Sequence, residues 1–268
     1  MLIEARNLTV RYGARTVLKN IDFLARAGEI TMIVGPNGSG KTTLLKALSG
    51  DLPYSGEVYL NGEELRRLSQ AKMAERRGVL AQETILSFPF TVAEVVRIGL
   101  IAGPNAPGTA LAADRRIANA LAAVDLSGFS GRFYQELSGG ERQRVQLARV
   151  LCQIWEPVGE DGPCWLFLDE PVASLDIRHQ LSIMELARRY ADRGGGVIAV
   201  MHDLNLTAMY GDRVAMLSEG VAVAAGAPDE VIGNDNLARV FGCELKVNAA
   251  PKRGVYVLPQ SAARTAQA

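Results

Sequence analysis

The feature that most constrains this chain is a short apolar run, Ile30 to Val34, that leads straight into a glycine-rich loop fitting GxxxxGK[ST]. Glycines at this spacing let backbone N–H groups turn inward around phosphates, the lysine reaches the β- and γ-phosphates, and the threonine hydroxyl binds Mg²⁺. A chance glycine turn is the alternative, but the strand before the loop and Leu44-Leu45 on a helix after it favour a phosphate loop. We predict a site for ATP and Mg²⁺ formed by Gly35, Pro36, Asn37, Gly38, Ser39, Gly40, Lys41, Thr42 and Thr43.

Two further continuous apolar runs, residues 165–168 and 197–201, end on reactive side chains. Continuous rather than alternating apolar residues indicate strands buried on both faces, as in a parallel sheet covered by helices. Ligands of such sheets lie beyond the carboxyl ends of the strands, so we expect one site at that edge. Asp169 is predicted to belong to the Mg²⁺ coordination shell, and Glu170 to polarise the attacking water as general base.

Length and composition describe an ordinary globular chain. It has 268 residues, 48% of them hydrophobic, which allows one large domain or one domain with a lobe. Its 29 basic and 29 acidic residues balance, so no nucleic-acid partner is expected. Three widely spaced cysteines predict neither a disulfide framework nor a zinc site, and favour a reducing compartment. Because no signal peptide and no run of about 18 apolar residues is visible, we expect a cytosolic chain that another protein anchors if it works at a membrane.

The chain is predicted to be a single domain over residues 1–268. Residues 1–88 and 151–258 would form a nucleotide-binding core, residues 89–150 a helical lobe, and residues 259–268 a flexible tail. The stretch Ala102 to Ala113 is rich in Gly, Pro and Ala and predicts a loop within that lobe. Leu8 to Val10 and Glu57 to Leu60 predict hairpin strands, the second ending at the turn pair Asn61-Gly62.

The pentapeptide Leu137 to Glu141 opens another helix. Ser138 and Glu141 fit a capping box, while Gly139 and Gly140 leave the helix N-terminus bare enough for a phosphate to approach its N–H groups. Followed by Arg142-Gln143-Arg144 and combined with the two motifs above, this segment makes the sequence resemble the ABC ATPases over nearly its whole length.

The resemblance implies an α/β fold: a P-loop NTPase core of mostly parallel sheet between helices, with an N-terminal antiparallel β lobe and an inserted helical lobe. It assigns four further residues. Tyr12 would stack on adenine, and Gln82 would touch Mg²⁺ and the attacking water and sense a membrane partner. Asp176, in the loop Ser174-Leu175-Asp176, would cross to a second subunit, and His202 would contact the γ-phosphate. Val172 departs from the small polar residue usual after Glu-Pro, which puts only fine tuning of that loop in question.

In this family ATP lies between the phosphate loop of one copy and the Ser138, Gly139 and Gly140 segment of the other, so a two-fold symmetric head-to-tail dimer is expected. A single unit without a fused membrane half, coiled coil or Cys/His cluster favours an importer over an exporter or a cytosolic ABC ATPase acting on DNA or ribosomes. The implied partners are two transmembrane permease subunits and a periplasmic binding protein. The implied location is the cytoplasmic face of the inner membrane.

The cargo follows from resemblance alone. The run Ser174 to Gln180 resembles subunits that import iron chelates, haem and cobalamin. The insert from Gln153 to Cys164, which contains Trp155-Glu156-Pro157, and the run Met201 to Leu206 resemble haem importer ATPases. His179 is interpreted as a helix-surface residue rather than a haem ligand. Haem is therefore the expected cargo, with a ferric siderophore or cobalamin as the alternative.

Overall fold

The structure, a computed structural model, describes residues 1–82, 86, 88–102 and 108–262. Its strands, in chain order, are β1 (Leu2–Tyr12), β2 (Arg15–Arg26), β3 (Ile30–Val34), β4 (Ser55–Leu60), β5 (Glu63–Glu64), β6 (Arg77–Leu80), β7 (Val158–Gly159), β8 (Gly162–Pro163), β9 (Trp165–Asp169), β10 (Gly196–Val200), β11 (Arg213–Ser218) and β12 (Val221–Gly226). Its helices are α1 (Lys41–Leu48), α2 (Gln70–Arg76), α3 (Val92–Ala102), α4 (Ala110–Ala123), α5 (Gly139–Gln153), α6 (Ile177–Asp192), α7 (Leu204–Tyr210), α8 (Pro228–Val231) and α9 (Asn234–Phe241).

A six-stranded sheet in the order β12-β11-β3-β10-β9-β6 forms the centre of the described chain. Strands β11, β3, β10, β9 and β6 run parallel, and β12 joins the edge antiparallel. The three apolar runs predicted as parallel strands are β3, β9 and β10, which lie side by side. The predicted α/β class with a largely parallel core is confirmed.

The three central strands are buried at every position because helices or a second sheet cover both faces. Leu166 and Leu168 belong to the hydrophobic core that includes α3 and α5, whereas Trp165 and Phe167 belong to the core that includes α1 and β1. Fully burying a side chain of this size contributes roughly 1.5–3 kcal/mol. Packing on both faces therefore fixes the carboxyl ends of these strands relative to one another.

A second, antiparallel sheet has the order β2-β1-β4-β5. The segments Leu8 to Val10 and Glu57 to Leu60 lie in β1 and β4, and the turn at Asn61-Gly62 connects β4 to β5. The predicted N-terminal antiparallel lobe is confirmed.

Helices α3, α4 and α5 pack together in the region predicted as a helical lobe. The division of the chain at residue 150 stays a prediction, and α5 continues to Gln153. The predicted loop Ala102 to Ala113 is wrong at its end, because Ala110 to Ala113 belong to α4. The Thr109 side chain accepts a hydrogen bond from the Ala112 amide at 3.2 Å, and this cap starts an alanine-rich helix. Residues 103–107 of that predicted loop lie outside the described residues.

The insert after α5 folds into a small hairpin of β7 and β8 that the sequence did not predict. Asn61 connects it to the sheet: its side-chain amide donates to the Pro163 carbonyl at 3.0 Å, and its oxygen accepts from the Trp165 indole at 3.0 Å. Asn61, directly after β4, is therefore hydrogen-bonded both to the insert and to the start of β9.

Across the described ranges, no helix has both the length and the apolar character needed to cross a membrane. Within the predicted flexible tail, Pro259–Ser261 forms a single 3₁₀ turn. Residues 263–268 of that predicted tail lie outside the described residues.

Candidate functional site

Four neighbouring parallel strands deliver the predicted residues to one edge of the sheet. The strands lie in the order β3-β10-β9-β6. Their carboxyl ends lead, respectively, to the phosphate loop, His202, Glu170 and Gln82. The Met201 amide donates to the Ile33 carbonyl at 3.0 Å, and the Glu170 amide donates to the Val200 carbonyl at 3.2 Å. Hydrogen bonding between β3, β10 and β9 therefore continues past the strand ends, to Met201 just before His202 and to Glu170 itself.

The phosphate loop, residues 35–42, surrounds its own lysine. The Lys41 ammonium donates to the carbonyls of Gly35 at 2.9 Å and Pro36 at 3.0 Å. Burial lowers the pKa of Lys41, while the charges of Glu170 and Asp169 act to raise it. Gly38 has a φ of 78°, a left-handed conformation that favours glycine. The loop thus presents a buried cation at the start of α1.

The N-terminus of α1 has no capping side chain among the described residues, and its first turn contains no acidic residue. Its leading N–H groups are those of Lys41, Thr42 and Thr43, and such groups lack partners within the helix itself. Free N–H groups, the helix dipole and an adjacent ammonium together suit a phosphate.

Asp169 and Thr42 form an oxygen pair that fits Mg²⁺. The Thr42 hydroxyl donates to Oδ1 of Asp169 at 3.0 Å. Oδ2 of Asp169 is buried and has no hydrogen-bond partner among the described residues. Burial raises the pKa of this carboxyl, and the Thr42 hydrogen bond partly offsets that effect. A buried carboxylate with a free oxygen beside a hydroxyl is a donor set suited to Mg²⁺, which takes few protein ligands and otherwise binds water and phosphate.

Glu170 lies between two predicted partners. His202 Nε2 is 2.6 Å from Oε1 of Glu170, and the Gln82 side-chain amide donates to Oε2 at 3.2 Å. Glu170 has a φ of 52°, a left-handed conformation that costs a non-glycine residue about 1–3 kcal/mol. The chain turns at Glu170 as β9 ends, and both oxygens of its carboxylate are held by His202 and Gln82. A positioned carboxylate next to a phosphate site can accept a proton from water.

The glycines that open α5 have different surroundings. A side chain at Gly139 would meet nothing within 4 Å, whereas a Cβ at Gly140 would lie 3.0 Å from Leu175 and 3.1 Å from the Ser174 carbonyl. Gly140 therefore allows α5 to pack against the loop that contains Asp176, and Gly139 leaves the helix end open to an approaching group. Gly139, Gln82 and Glu170 line one cleft of about 390 Å³.

The predicted capping box is present at α5. The Glu141 amide donates to the Ser138 hydroxyl at 3.3 Å, and Oε2 of Glu141 accepts from the Ser138 amide at 2.8 Å. These hydrogen bonds from Ser138 lower the pKa of Glu141. The lowered pKa and the half-buried position leave a carboxylate at the N-terminus of this helix.

Two predicted residues lie apart from the sheet edge. Tyr12 is 52% exposed at the end of β1. Asp176 caps α6, with Oδ1 accepting from the His179 amide at 2.9 Å and lying 2.8 Å from the His179 ring. His179 is half-buried at the start of that helix. Among the described residues, no hydrogen bond joins the phosphate loop to Ser138, Gly139 or Gly140 of the same chain.

Gln143 is a site residue that the sequence did not single out by role. Its side-chain amide donates to the Glu170 carbonyl at 2.9 Å. A signal was present in the polar side chains that recur every three or four residues along one buried or half-buried side of α5. These are Gln143, Gln146, Arg149 and Gln153.

Comparison with known proteins places the chain among ATP-binding transport subunits. The ABC transporter family matches residues 18–173. The "Hemin import ATP-binding protein HmuV" of Rhizobium johnstonii is 55% identical over 262 residues, covering 97% of this chain and 98% of that protein. The protein of the same name from Rhizobium meliloti is 56% identical over 264 residues, covering 97% and 99%.

Solved structures agree with the fold. The "Dimeric Structure of MJ0796, a Bacterial ABC Transporter Cassette" has a TM-score of 0.74 and 27% identity, covering 84% of this chain and 98% of that chain. A structure described as the "ATP binding subunit of ABC transporter" has a TM-score of 0.75 and 24% identity, covering 91% and 95%, and supports the fold alone. The family resemblance drawn from the motifs is confirmed.

Proposed function

The chain belongs to the ABC transporter family, and from that premise we propose that it is the ATP-hydrolysing subunit of a haem importer. Support for the ATPase activity comes from one observation: Glu170 is held between His202 and Gln82 at the sheet edge that carries Lys41. Support for haem as cargo comes from relatives named hemin import proteins that match nearly the full length of the chain.

Each residue has a proposed role in hydrolysis. Tyr12 stacks on adenine, residues 35–43 surround the phosphates, and Lys41 neutralises the β- and γ-phosphates. The Glu170 carboxylate accepts a proton from the water that attacks the γ-phosphate, His202 contacts that phosphate, and Gln82 orients the water. Mg²⁺, when bound, would neutralise phosphate charge. Asp169 and Thr42 would hold it with help from Gln82.

Two copies are needed for a complete site. The lack of any hydrogen bond between the phosphate loop and Ser138, Gly139 or Gly140 among the described residues of one chain supports a head-to-tail dimer in which each nucleotide lies between the two segments. Asp176 and its loop would contact the second copy. Nucleotide binding closes the dimer, and hydrolysis followed by phosphate release opens it.

The dimer is proposed to work at the cytoplasmic face of the inner membrane with two permease subunits and a periplasmic haem-binding protein. Two exposed apolar side chains, one in the segment that follows Gln82 and one in helix α3 of the helical lobe, support a permease docking surface there. Phe88 is 71% and Ile101 82% exposed. The surface proposed for docking is the face near Gln82 together with roughly residues 88–103 of the helical lobe, and residue 103 of it lies outside the described residues.

Complementation tests both activity and cargo. A strain lacking this subunit should fail to grow on haem as sole iron source, grow on inorganic iron, and regain growth on haem with the wild-type chain. Glu170→Gln should not restore growth, because loss of a general base slows the reaction by about 10² to 10⁴-fold. Glu244→Gln, the same change at an exposed carboxylate in the C-terminal segment, is the matched control and should restore it.

Two outcomes would revise the proposal separately. One is that the deletion strain grows normally on haem but fails to use a ferric siderophore or external cobalamin. That result would transfer the cargo assignment to the corresponding alternative importer. Full complementation by Glu170→Gln would remove Glu170 from the role of base. Normal transport of all these cargoes in the deletion strain would favour a cytosolic, non-transport ABC ATPase.

A further inference from the structure

The main chain of Glu170 is fixed from two sides. Its amide donates to the Val200 carbonyl at 3.2 Å, so β10 holds the N-terminal side of the residue. Its carbonyl accepts a hydrogen bond from Nε2 of Gln143 at 2.9 Å, so α5 holds the C-terminal side. The residue between these two bonds has a φ of 52°. A non-glycine residue keeps this conformation only where its surroundings fix it, and the Gln143 bond supplies one of those constraints.

Gln143 is a poor choice for stability alone. Its Oε1 is buried and has no hydrogen-bond partner among the described residues. Gln153, on the same helix, donates from its side-chain amide to two carbonyls, those of Ala74 and Arg77, each at 2.8 Å. An unpaired buried amide oxygen is destabilising. Proteins tolerate such a group at functional sites, here where the amide nitrogen of the same side chain makes a needed contact. Gln146 on the same helix also has an unpaired Oε1, so it is the acceptor of the Gln143 amide, the Glu170 carbonyl, that points to a functional reason for Gln143.

The position of Gln143 also connects two proposed contacts. It lies four residues, about one helical turn, after Gly139, which is open to an approaching group. The helix that would meet the partner's nucleotide therefore also holds the general base of its own chain. We infer that Gln143 is a positioning residue that fixes the Glu170 main chain so that the carboxylate stays between His202 and Gln82.

This inference rests on the proposed ATPase function, and steady-state kinetics on the full chain assembled with its permease tests it. Gln143→Met keeps the side-chain length and removes the donor. We expect kcat to fall about 10- to 100-fold, because small displacements of a reacting group cost that much, while KM for ATP stays within about twofold. Gln153→Met is the matched control: it should lower Tm at least as much and leave kcat unchanged.

A double-mutant cycle separates positioning from general destabilisation. If Gln143 acts through Glu170, Gln143→Met should cause no further loss of kcat in a Glu170→Gln background. A further loss equal to that in the wild-type background would overturn the inference, as would a wild-type kcat for Gln143→Met. If Gln143→Met does not fold, Gln143→Asn, which is too short to reach the carbonyl, takes its place with the same expectations. Wild-type activity of Glu170→Gln alone would instead overturn the proposed function.

Discussion

The N-termini of α1 and α5 are both approached by glycines, yet they are built in opposite ways. At α1 the cap position is Gly40, no described side chain caps the helix, and the first turn carries the buried cation of Lys41. At α5 Ser138 is the cap and Glu141 completes a capping box. The N-terminus of α1 offers free N–H groups beside a positive charge. The N-terminus of α5 has a backbone N–H group bonded to its own capping side chain, and it carries a carboxylate.

This difference suggests an order of events. A helix N-terminus stabilises an anion through its free N–H groups and its dipole, so α1 needs no second chain to bind phosphate. The Glu141 carboxylate opposes a free anion at α5. We therefore expect nucleotide to bind first at α1 of each chain, and α5 to contact it only when the dimer presents it in a fixed position near Gly139.

The largest expected effect is at α1. Lys41→Met removes the ammonium, and hydrogen bonds to charged groups contribute about 1.5–3 kcal/mol each, so two lost contacts to phosphate should weaken ATP binding by about 10²-fold or more. Equilibrium titration of the isolated chain with ATP measures this. Lys72→Met, at an exposed position in α2, should bind like the wild type. Unchanged affinity in Lys41→Met would contradict the assignment of α1 as the first binding site.

An intermediate effect is expected at α5, where the two glycines can be separated. Gly139→Val should leave Tm and ATP binding by the single chain nearly unchanged, because its Cβ would meet open space. It should lower the affinity of the ATP-dependent dimer by at least about tenfold, since a larger side chain would stand where the partner's phosphate approaches. The measurement is size-exclusion chromatography with Mg-ATP in a Glu170→Gln background, because slowed hydrolysis keeps the ATP-dependent dimer closed.

Gly140→Val is the comparison for that variant. It should lower stability by about 1–3 kcal/mol on its own, because its side chain would press on Leu175 and Ser174. Normal dimer formation by Gly139→Val would show that the end of α5 does not contact the partner's nucleotide.

Sequence patterns predicted the parts of this site that depend on local order along the chain. Continuous apolar runs predicted β3, β9 and β10 as buried strands of a parallel sheet, and each run is followed directly by its reactive residue. The capping box at Ser138 and Glu141 was also visible, because its partners lie three residues apart. In each case the residues that interact either are close in sequence or lie at the same edge of the sheet.

The contacts that sequence patterns missed depend on packing between distant elements. Gln143 and Glu170 are 27 positions apart in the sequence, and the sequence alone does not determine which group a glutamine side chain on a helix will contact. The left-handed φ of Glu170 follows from bonds made by β10 and α5 rather than from its own preference. The start of α4 was missed for another reason: neighbouring Gly and Pro outweighed a Thr109 cap that was present in the sequence.

The smallest expected effect concerns the charge at the start of α5. Hydrogen bonds from Ser138 lower the pKa of Glu141 from its ordinary value of 4.5, so the charged form stabilises the folded chain at neutral pH. That contribution is present above the unfolded-state pKa and is lost as pH falls through the lower folded-state value. Because Glu141 is only partly buried and solvent screens its charge, this contribution should be worth less than about 1 kcal/mol.

Glu141→Gln isolates this charge, since a glutamine can still complete the capping box. Urea unfolding should show the variant slightly less stable than the wild type near neutral pH, at about pH 7, with the difference closing below the ordinary carboxyl pKa. Glu94→Gln offers a matched comparison, because Glu94 accepts from the Thr91 amide at 2.7 Å in the corresponding arrangement at α3. Both variants should show the same closing difference, but only Glu141→Gln should strengthen the ATP-dependent dimer, by removing a charge that opposes phosphate. A difference in stability that persists unchanged at acid pH would mean that the Glu141 charge does not stabilise α5, and the contrast between the two helix termini would then rest on Lys41 alone.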